Sequence, residues 1–164
     1  MKLDVSQALK NPGQEYPFRG EQAIAPQEVG GDTVILDDAV LEGTYFAAED
    51  GSVTVDGQLT TVAHAHCANC LEDASADIQA TFRETFLRNG DPEDDETFAY
   101  TGFSIGFEKL AMSYAVLALP IRFLCREDCP GLVGFADNDS CQKEMQNAHP
   151  FAALQQLLTK DEEV

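Results

Sequence analysis

Two long stretches of the chain alternate apolar and polar residues, and this alternation limits the possible folds more than any other feature. The first stretch covers residues 53–65, just before Cys67, and the second covers residues 75–87. Because successive side chains of a strand point to opposite faces, each stretch can bury one face and leave the other in water. We therefore predict two long antiparallel strands, joined by a turn that contains the segment C-A-N-C-L.

Shorter patterns predict the remaining strands. Leu3 and Val5 alternate with polar neighbours, which indicates a short strand that leads into one helical turn at Ser6. The apolar positions between residues 32 and 47 indicate a strand that forms a hairpin with the first long stretch, because the turn-forming segment E-D-G-S separates the two. A further short strand is expected around residues 98–100.

Two helices are predicted in the second half of the chain. A run of apolar residues indicates a buried helix near 107–119, which Pro120 stops because proline has no N–H group to donate. Pro150 suits the first position of a short C-terminal helix, in which Phe151 and the leucines after it form one apolar stripe.

These elements together predict an α+β fold whose mainly antiparallel sheet is strongly curved or barrel-like. The length of 164 residues suits a single domain. We expect residues 1–148 to form this α+β domain and residues 149–164 to form the C-terminal helix and an acidic tail.

The charge balance restricts the partners of the protein. The chain has 10 lysines and arginines and 29 aspartates and glutamates, which gives a formal net charge of −19. Because basic side chains supply most of the affinity of proteins for nucleic acid, we expect neither direct binding to RNA or DNA nor adhesion to an anionic membrane. Such a surface favours a basic protein as partner instead, and the alternative is that the acidity serves only to keep the protein soluble.

Two further features of the sequence bear on where the protein acts and how it moves. The chain has no apolar run long enough for a membrane span, and its first residues lack the features of a signal peptide, so we expect a cytoplasmic protein. The segment N-G-D-P-E-D-D-E at residues 89–96 carries five acids, and their mutual repulsion predicts a mobile surface loop.

Four of the five cysteines form two closely spaced pairs, Cys67 with Cys70 and Cys125 with Cys129. Both spacings let two sulfurs converge on one ion, and four thiolates are a common ligand set of structural zinc. Zinc bound by all four would tie the turn between the long strands to the segment after the 107–119 helix. Two alternatives stay open: free thiols that pack as small apolar groups, and a C-x-x-C redox pair, although that motif belongs in a βαβ context.

The histidines offer alternative ligands, and no catalytic motif is present. His64 and His66 precede Cys67 and share one face of a strand, although histidines in such positions more often pair with surface groups. His149 precedes Pro150 beside the start of the predicted C-terminal helix. The chain contains no G-x-S-x-G, Walker A, G-x-G-x-x-G or H-E-x-x-H motif, so no catalytic residue is predicted.

Several motifs together resemble the YceD family, the large ribosomal RNA subunit accumulation proteins. These motifs are the C-A-N-C-L turn, the segment V-L-A-L-P followed by C-R-E-D-C-P-G-L, and the terminal H-P-F-A-A-L-Q-Q-L-L. The resemblance covers nearly the whole chain in element order. It implies a cytoplasmic bacterial factor that is not an enzyme and that supports the synthesis, processing or stability of large-subunit ribosomal RNA.

The chain departs from the cysteine-rich members of that family at several positions. Val133 and Ala136 replace two thiols, which leaves Cys141 without partners. Asn69 stands where an arginine is common, and this removes a positive charge beside the turn. The two closely spaced cysteine pairs remain, so the resemblance strengthens the zinc hypothesis for them.

The resemblance implies RNA biology, whereas the charge opposes contact with phosphate. One function is consistent with both the resemblance and the charge. It is that of a non-enzymatic factor that binds a basic ribosomal protein or maturation factor and so influences the ribosomal RNA indirectly. One alternative is a zinc-supported RNA-processing enzyme or its cofactor, which needs a ligand position open to water that four thiolates do not leave. Another alternative is a C-x-x-C thiol-redox protein. No small-molecule substrate is indicated.

Overall fold

The computed structural model of the chain describes residues 1–91 and 97–132. Its helices and strands follow one another in this order: β1 (Lys2–Asp4), α1 (Ser6–Lys10), β2 (Tyr16–Gln22), β3 (Gln27–Val29), β4 (Asp32–Leu36), β5 (Ala39–Ala47), β6 (Val53–His66), β7 (Asp73–Arg88), β8 (Phe98–Tyr100), β9 (Ser104–Gly106) and α2 (Glu108–Leu117).

The chain divides into two compact units, Met1–Cys129 and Pro130–Val164, and each of these helices and strands belongs to the first. Several predictions lie outside the described residues. They are the C-terminal helix, the division at residue 148, Cys141, His149, and most of the acidic loop at 89–96.

The two long alternating stretches form a single antiparallel hairpin, as predicted. β6 pairs with β7 from Val53 opposite Phe86 to His66 opposite Asp73. One face of this hairpin is buried, and its members come from alternate positions: Val53, Val55, Leu59, Ala63, Ile78, Phe82 and Phe86. The opposite face carries threonines, charged residues and both histidines, so the predicted separation of an apolar and a polar face is confirmed.

The remaining strands extend this hairpin into a mainly antiparallel sheet. β5 pairs with β6, and β2 pairs with β5. β4 pairs with β6 beyond the end of β5, so the predicted strand at residues 32–47 is in fact two strands. The break falls at Asp37 and Asp38, where the Asp37 N–H still donates to the Val62 carbonyl at 3.0 Å and the Thr61 hydroxyl donates to the Asp37 carbonyl at 2.8 Å.

The predicted strongly curved or barrel-like closure is wrong for the described residues. β2 pairs only with β5 and β8 pairs only with β7, so the strands at the two ends of the sheet do not meet. Strand alternation predicts which face is buried, but it carries no information on whether the edges close. Helices provide the cover instead: α1 packs against β5, and α2 packs against β6 and β7.

Helix α2 lies where the sequence predicted it, but only one of its faces is buried. Leu110, Ala111 and Ala115 face the core, whereas Leu117 is 80% exposed. The residue before the helix, Phe107, is fully buried and its ring lies 5.3 Å from that of Phe18, between centroids. Among the described residues, neither helix is long and apolar enough to cross a lipid bilayer.

Candidate metal centre

The first half of the site is the loop that joins β6 to β7. Cys67 follows directly after β6, and its N–H donates to the Glu72 carbonyl at 2.7 Å, which closes the hairpin. The Leu71 N–H then donates to the Cys67 carbonyl at 2.9 Å, with Leu71 in the left-handed region at a φ of 63°. This tight turn brings the sulfurs of Cys67 and Cys70 to one side of the loop.

The second half of the site is the irregular segment after α2. The Ala68 N–H of the first loop donates to the Phe123 carbonyl at 2.9 Å, so a backbone hydrogen bond joins the two segments next to the cysteines. A turn in which the Cys129 N–H donates to the Arg126 carbonyl at 3.2 Å then returns the chain toward Cys125. Cysteines from distant parts of the sequence therefore meet at the end of the long hairpin.

The four predicted cysteines form one compact cluster. The Sγ atoms of Cys67 and Cys129 are 3.8 Å apart, and those of Cys70 and Cys125 are 3.6 Å apart. All four sulfurs lie within 4.8 Å of one another, and none of these cysteines is in a disulfide. In a tetrahedral zinc site with bonds of about 2.3 Å, neighbouring sulfurs are about 3.8 Å apart. The cluster therefore fits a four-thiolate metal site without large movement.

The local electrostatics distinguish the four thiols. The backbone N–H groups of Cys125 and then Asn69 donate to the Cys67 sulfur and lower its pKa to about 6. The Glu72 backbone favours the Cys70 thiolate, but desolvation and the neighbouring thiols together outweigh it and raise the pKa of Cys70 to about 12. The thiol of Cys129 raises the pKa of Cys125. Crowded sulfurs cannot all ionise unless a cation compensates their charge.

The histidines before Cys67 do not belong to this cluster. The His64 Nε2 lies 3.4 Å from the Asp37 carboxylate, and the His66 Nδ1 lies 2.9 Å from the Asp32 carboxylate. The bond from Asp32 raises the pKa of His66, and the same bond lowers the pKa of Asp32. Within the described residues both of these histidines have carboxylate partners, as is usual for histidines at a protein surface.

One neighbour of the cluster was missed from the sequence. The Glu72 carboxylate lies 3.8 Å from the Cys70 sulfur, and no spacing rule for thiolate sites singles out an acid at that position. The tight turn between Cys67 and Glu72 makes this contact, since it folds the chain back within a few residues. The one sign of this contact in the sequence is an acidic residue, Glu72, two positions after Cys70.

The fold and the site together define a class of protein: an open, mainly antiparallel sheet whose longest hairpin carries a four-cysteine cluster at its turn. A family model described as large ribosomal RNA subunit accumulation protein YceD matches residues 55–158. The match covers more than half of the chain, so the protein belongs to the YceD family, and the predicted resemblance is confirmed. Membership of this family indicates a role related to the ribosome.

The chain is also similar to curated proteins from mycobacteria. Uncharacterized proteins from Mycobacterium tuberculosis and Mycobacterium bovis are each 25% identical to this chain over 139 residues. The alignment covers 80% of this chain and 67% of each relative. No solved structure matches the chain significantly.

Proposed function

We propose that this protein is a non-enzymatic factor that supports the accumulation of large-subunit ribosomal RNA by binding a basic ribosomal protein or maturation factor. The match to the YceD family over residues 55–158 carries the proposal, because it connects the chain to ribosomal RNA. Its strong negative charge then favours a basic protein over the RNA itself as the direct partner.

The polar face of the sheet supports an indirect action on RNA. Arg19 and Arg83 are exposed cations on this face, and each has a carboxylate neighbour on the adjoining strand. Arg19 lies 3.6 Å from Glu42, and Arg83 lies 3.8 Å from Asp56. Since these arginines are already matched by acids, the described face offers little net positive charge to a phosphate backbone.

We also propose that the four cysteines hold a structural zinc ion. Four thiolates complete a tetrahedral shell and leave no position for water or substrate, which favours a structural over a catalytic role. Zinc there would add stability to the loop of Cys67 and Cys70 and to the segment of Cys125 and Cys129, which lie outside the helices and strands.

Elemental analysis tests the zinc proposal directly. Purified protein is expected to contain about one zinc ion per chain, with sulfur as the internal standard. Cys67→Ser is expected to weaken zinc binding by more than about 100-fold, because even changes in the outer shell of a metal site cost up to about that much. His64→Ala is the matched control and should retain the metal. A wild-type protein without zinc, or a Cys67→Ser variant that keeps it, contradicts the proposal.

Affinity capture tests the ribosomal function. The tagged full chain is expected to recover a basic ribosomal or maturation protein from cell extract, and salt should release this partner because it screens the attraction. Mass spectrometry identifies the protein, and sequencing identifies any RNA that accompanies it. Recovery of naked ribosomal RNA without a basic protein would overturn the proposed route.

A thiol-redox role for the C-x-x-C motif is the second candidate, since Cys67 and Cys70 are free thiols whose sulfurs lie within 4.8 Å of each other. The geometry gives less support, since the close sulfur pairs are Cys67 with Cys129 and Cys70 with Cys125 rather than the two cysteines of the C-x-x-C motif. Rapid disulfide exchange by the protein as purified would favour this role if the Cys70→Ser variant loses the exchange but keeps the fold.

A further inference from the structure

One edge of the sheet is open along most of its length. β7 pairs with β6 on one side, and on the other side β8 pairs only with residues 86–88 of β7. Within the described part of the chain, no strand pairs with the outer edge of β7 between residues 73 and 85. A strand edge of this length carries a row of unpaired N–H and carbonyl groups, to which another strand can bind.

The pairing of β6 shows which residues of β7 direct their backbone groups outward. Val62 lies opposite Asp77, but the Val62 carbonyl accepts from the Asp37 N–H on the other side of β6. Val62 and Asp77 are therefore a pair without mutual hydrogen bonds, so the N–H and the carbonyl of Asp77 point away from β6. Because this direction alternates along a strand, each odd-numbered residue from 73 to 85 offers its backbone groups to a further strand.

This edge lacks the features with which proteins usually prevent the addition of a strand. Residues 73–85 contain no proline, glycine or lysine, and their pairing with β6 contains no bulge. The side chains of the odd-numbered residues are exposed on the polar face of the sheet. Because a long, regular edge of this kind promotes association, we expect another strand to cover it.

The charges along the edge indicate which strand binds there. Asp73 lies at the start of the open edge, Asp77 in its middle and Arg83 near its end. A uniformly basic segment would meet the Arg83 side chain, which is 70% exposed. An antiparallel copy of the same strand would instead place an acid opposite a base at each end, so the edge is complementary to itself.

We propose that β7 pairs with β7 of a second copy of the chain, antiparallel and around a two-fold axis at Ile78. In this register Asp73 of each copy lies opposite Arg83 of the other, and on the buried face Ala76 lies opposite Ala80. The odd-numbered residues from 73 to 83 would form about twelve backbone hydrogen bonds between the two copies. The proposal goes beyond the ribosomal function proposed above and does not depend on it.

The side chains and β8 disfavour the neighbouring registers. Only registers that place odd-numbered residues opposite odd-numbered residues align the outward backbone groups of the two copies. A two-fold axis at Asp77 would place the two Asp77 carboxylates opposite each other, which is unfavourable. The opposite shift moves Asp73 from a base to Thr85, and a further shift in that direction runs the strand into β8.

The oligomeric state of the full-length chain tests the proposal. The net charge of −19 repels two copies at long range, but at an ionic strength of about 0.15 M charges more than about 8 Å apart are largely screened. Analytical ultracentrifugation under these conditions is expected to show a monomer–dimer equilibrium that depends on protein concentration. A chain that stays monomeric up to about 1 mM would overturn the proposal.

Charge reversal tests the register. Asp73→Lys and Arg83→Glu should each weaken the dimer about tenfold, because two like-charged pairs then replace two pairs of opposite charge. The double variant should restore the dimer, since its pairs are again of opposite charge. Arg19→Glu is the control for Arg83→Glu, because it also removes an exposed arginine beside an acid, but on β2. An equal loss in the control, or no recovery in the double variant, would contradict the register.

A backbone variant tests the edge itself. Gln79→Pro removes an N–H that points outward, so it should abolish the dimer. The monomer should stay folded, because edge strands accept proline where the N–H faces away from the sheet, and circular dichroism checks this. A dimer that persists in the folded variant would overturn the assignment to β7, and the charge variants test the contact independently.

Hydrogen exchange identifies any other strand that covers the edge. The amides of Gln79 and Thr81 should become protected as the dimer forms. Protection in a monomer, at every protein concentration, would show that another part of the same chain covers the edge, and it would overturn the dimer. Capture of a basic protein by a monomeric wild type but not by Gln79→Pro would assign the edge to that partner, and it would overturn the dimer as well.

Discussion

Cys67 belongs both to the hydrophobic core and to the four-cysteine cluster. Its side chain is fully buried within the hydrophobic core, whereas Cys70, Cys125 and Cys129 are each partly exposed. Cys67 is also the residue at which β6 ends and the hairpin turn begins. The position of its sulfur is therefore set by packing, and the other three cysteines approach it from the less buried side of the cluster.

The left-handed backbone at Leu71 leads to a stability prediction. Its φ of 63° is unfavourable for leucine and acceptable for asparagine, and most of its side chain is in water. We expect Leu71→Asn to raise the free energy of unfolding by about 0.5–1 kcal/mol. Asn89 has a φ of 55°, so Asn89→Leu should lower it by a similar amount. Denaturant unfolding measures both, and changes of the same sign would refute the prediction.

At the scale of the elements, two glycines allow β5 and β6 to approach. Gly43 lies opposite Gly57, and a Cβ added at Gly57 would be 2.4 Å from the Glu42 carbonyl oxygen. Neither backbone can move aside without disturbing the ladder of which it forms part. The close contact, rather than backbone freedom, therefore requires glycine here.

Gly57→Ala is accordingly expected to destabilise the protein by about 1–3 kcal/mol, the usual cost of forcing a methyl group into filled space. Gly106→Ala in β9 is the control, because nothing lies within 4 Å of a Cβ at that glycine. Thermal unfolding of the two variants provides the comparison. A Gly57→Ala variant as stable as Gly106→Ala would mean that the strands separate more easily than this packing implies.

A polar contact between helix α2 and β7 leads to a pH prediction. The Tyr114 hydroxyl donates to the Glu84 carboxylate at 2.6 Å, and this bond, followed by desolvation, raises the pKa of Tyr114 to about 12. A raised tyrosine pKa stabilises the fold below the ordinary value of about 10, and this contribution is lost as pH rises toward 12.

Tyr114→Phe is expected to cost about 0.5–1.5 kcal/mol near neutral pH, which is the usual worth of a hydrogen bond. The difference between wild type and variant should shrink above about pH 10, where the unfolded tyrosine ionises first. Urea unfolding at several pH values measures this difference. A difference that stays constant across that range would mean that the pKa of Tyr114 is the same in the folded and the unfolded protein, and it would contradict the prediction.

At the scale of the whole molecule, the four-cysteine cluster lies at one end of a sheet whose pairing does not depend on it. β6 pairs with β7 along its whole length, and the buried face of this hairpin packs against α2 and the residues around it. Local opening at the cysteine end therefore leaves most of the core intact.

Removal of zinc by a chelator is expected to open the two cysteine loops without unfolding the sheet. The Ala68 amide, which donates to the Phe123 carbonyl, should exchange with deuterium at least about tenfold faster, while amides in the middle of β6 keep their protection. Hydrogen exchange read by NMR follows both groups. Global unfolding on chelation, or an unchanged exchange rate of the Ala68 amide, would contradict this prediction.

The sequence by itself determined the elements that depend on local geometry. Alternation at residues 53–65 and 75–87 predicted both long strands, because the side-chain period of a strand is independent of tertiary contacts. The short strand near Phe98 and Tyr100 and the helix before Pro120 followed from equally local signals. The cysteine spacings identified all four members of the described cluster, because a turn between two cysteines this close in sequence lets their sulfurs converge.

Only the tertiary structure decided the features that depend on the path of the chain through space. The sheet stays open because helices cover its buried face, and the strand at 32–47 breaks at Asp37 and Asp38 as the chain passes from one part of β6 to the next. The approach of Cys125 to Cys70 joins segments far apart in sequence. Periodicity depends on residues that are neighbours in the sequence, so it does not predict contacts between distant segments.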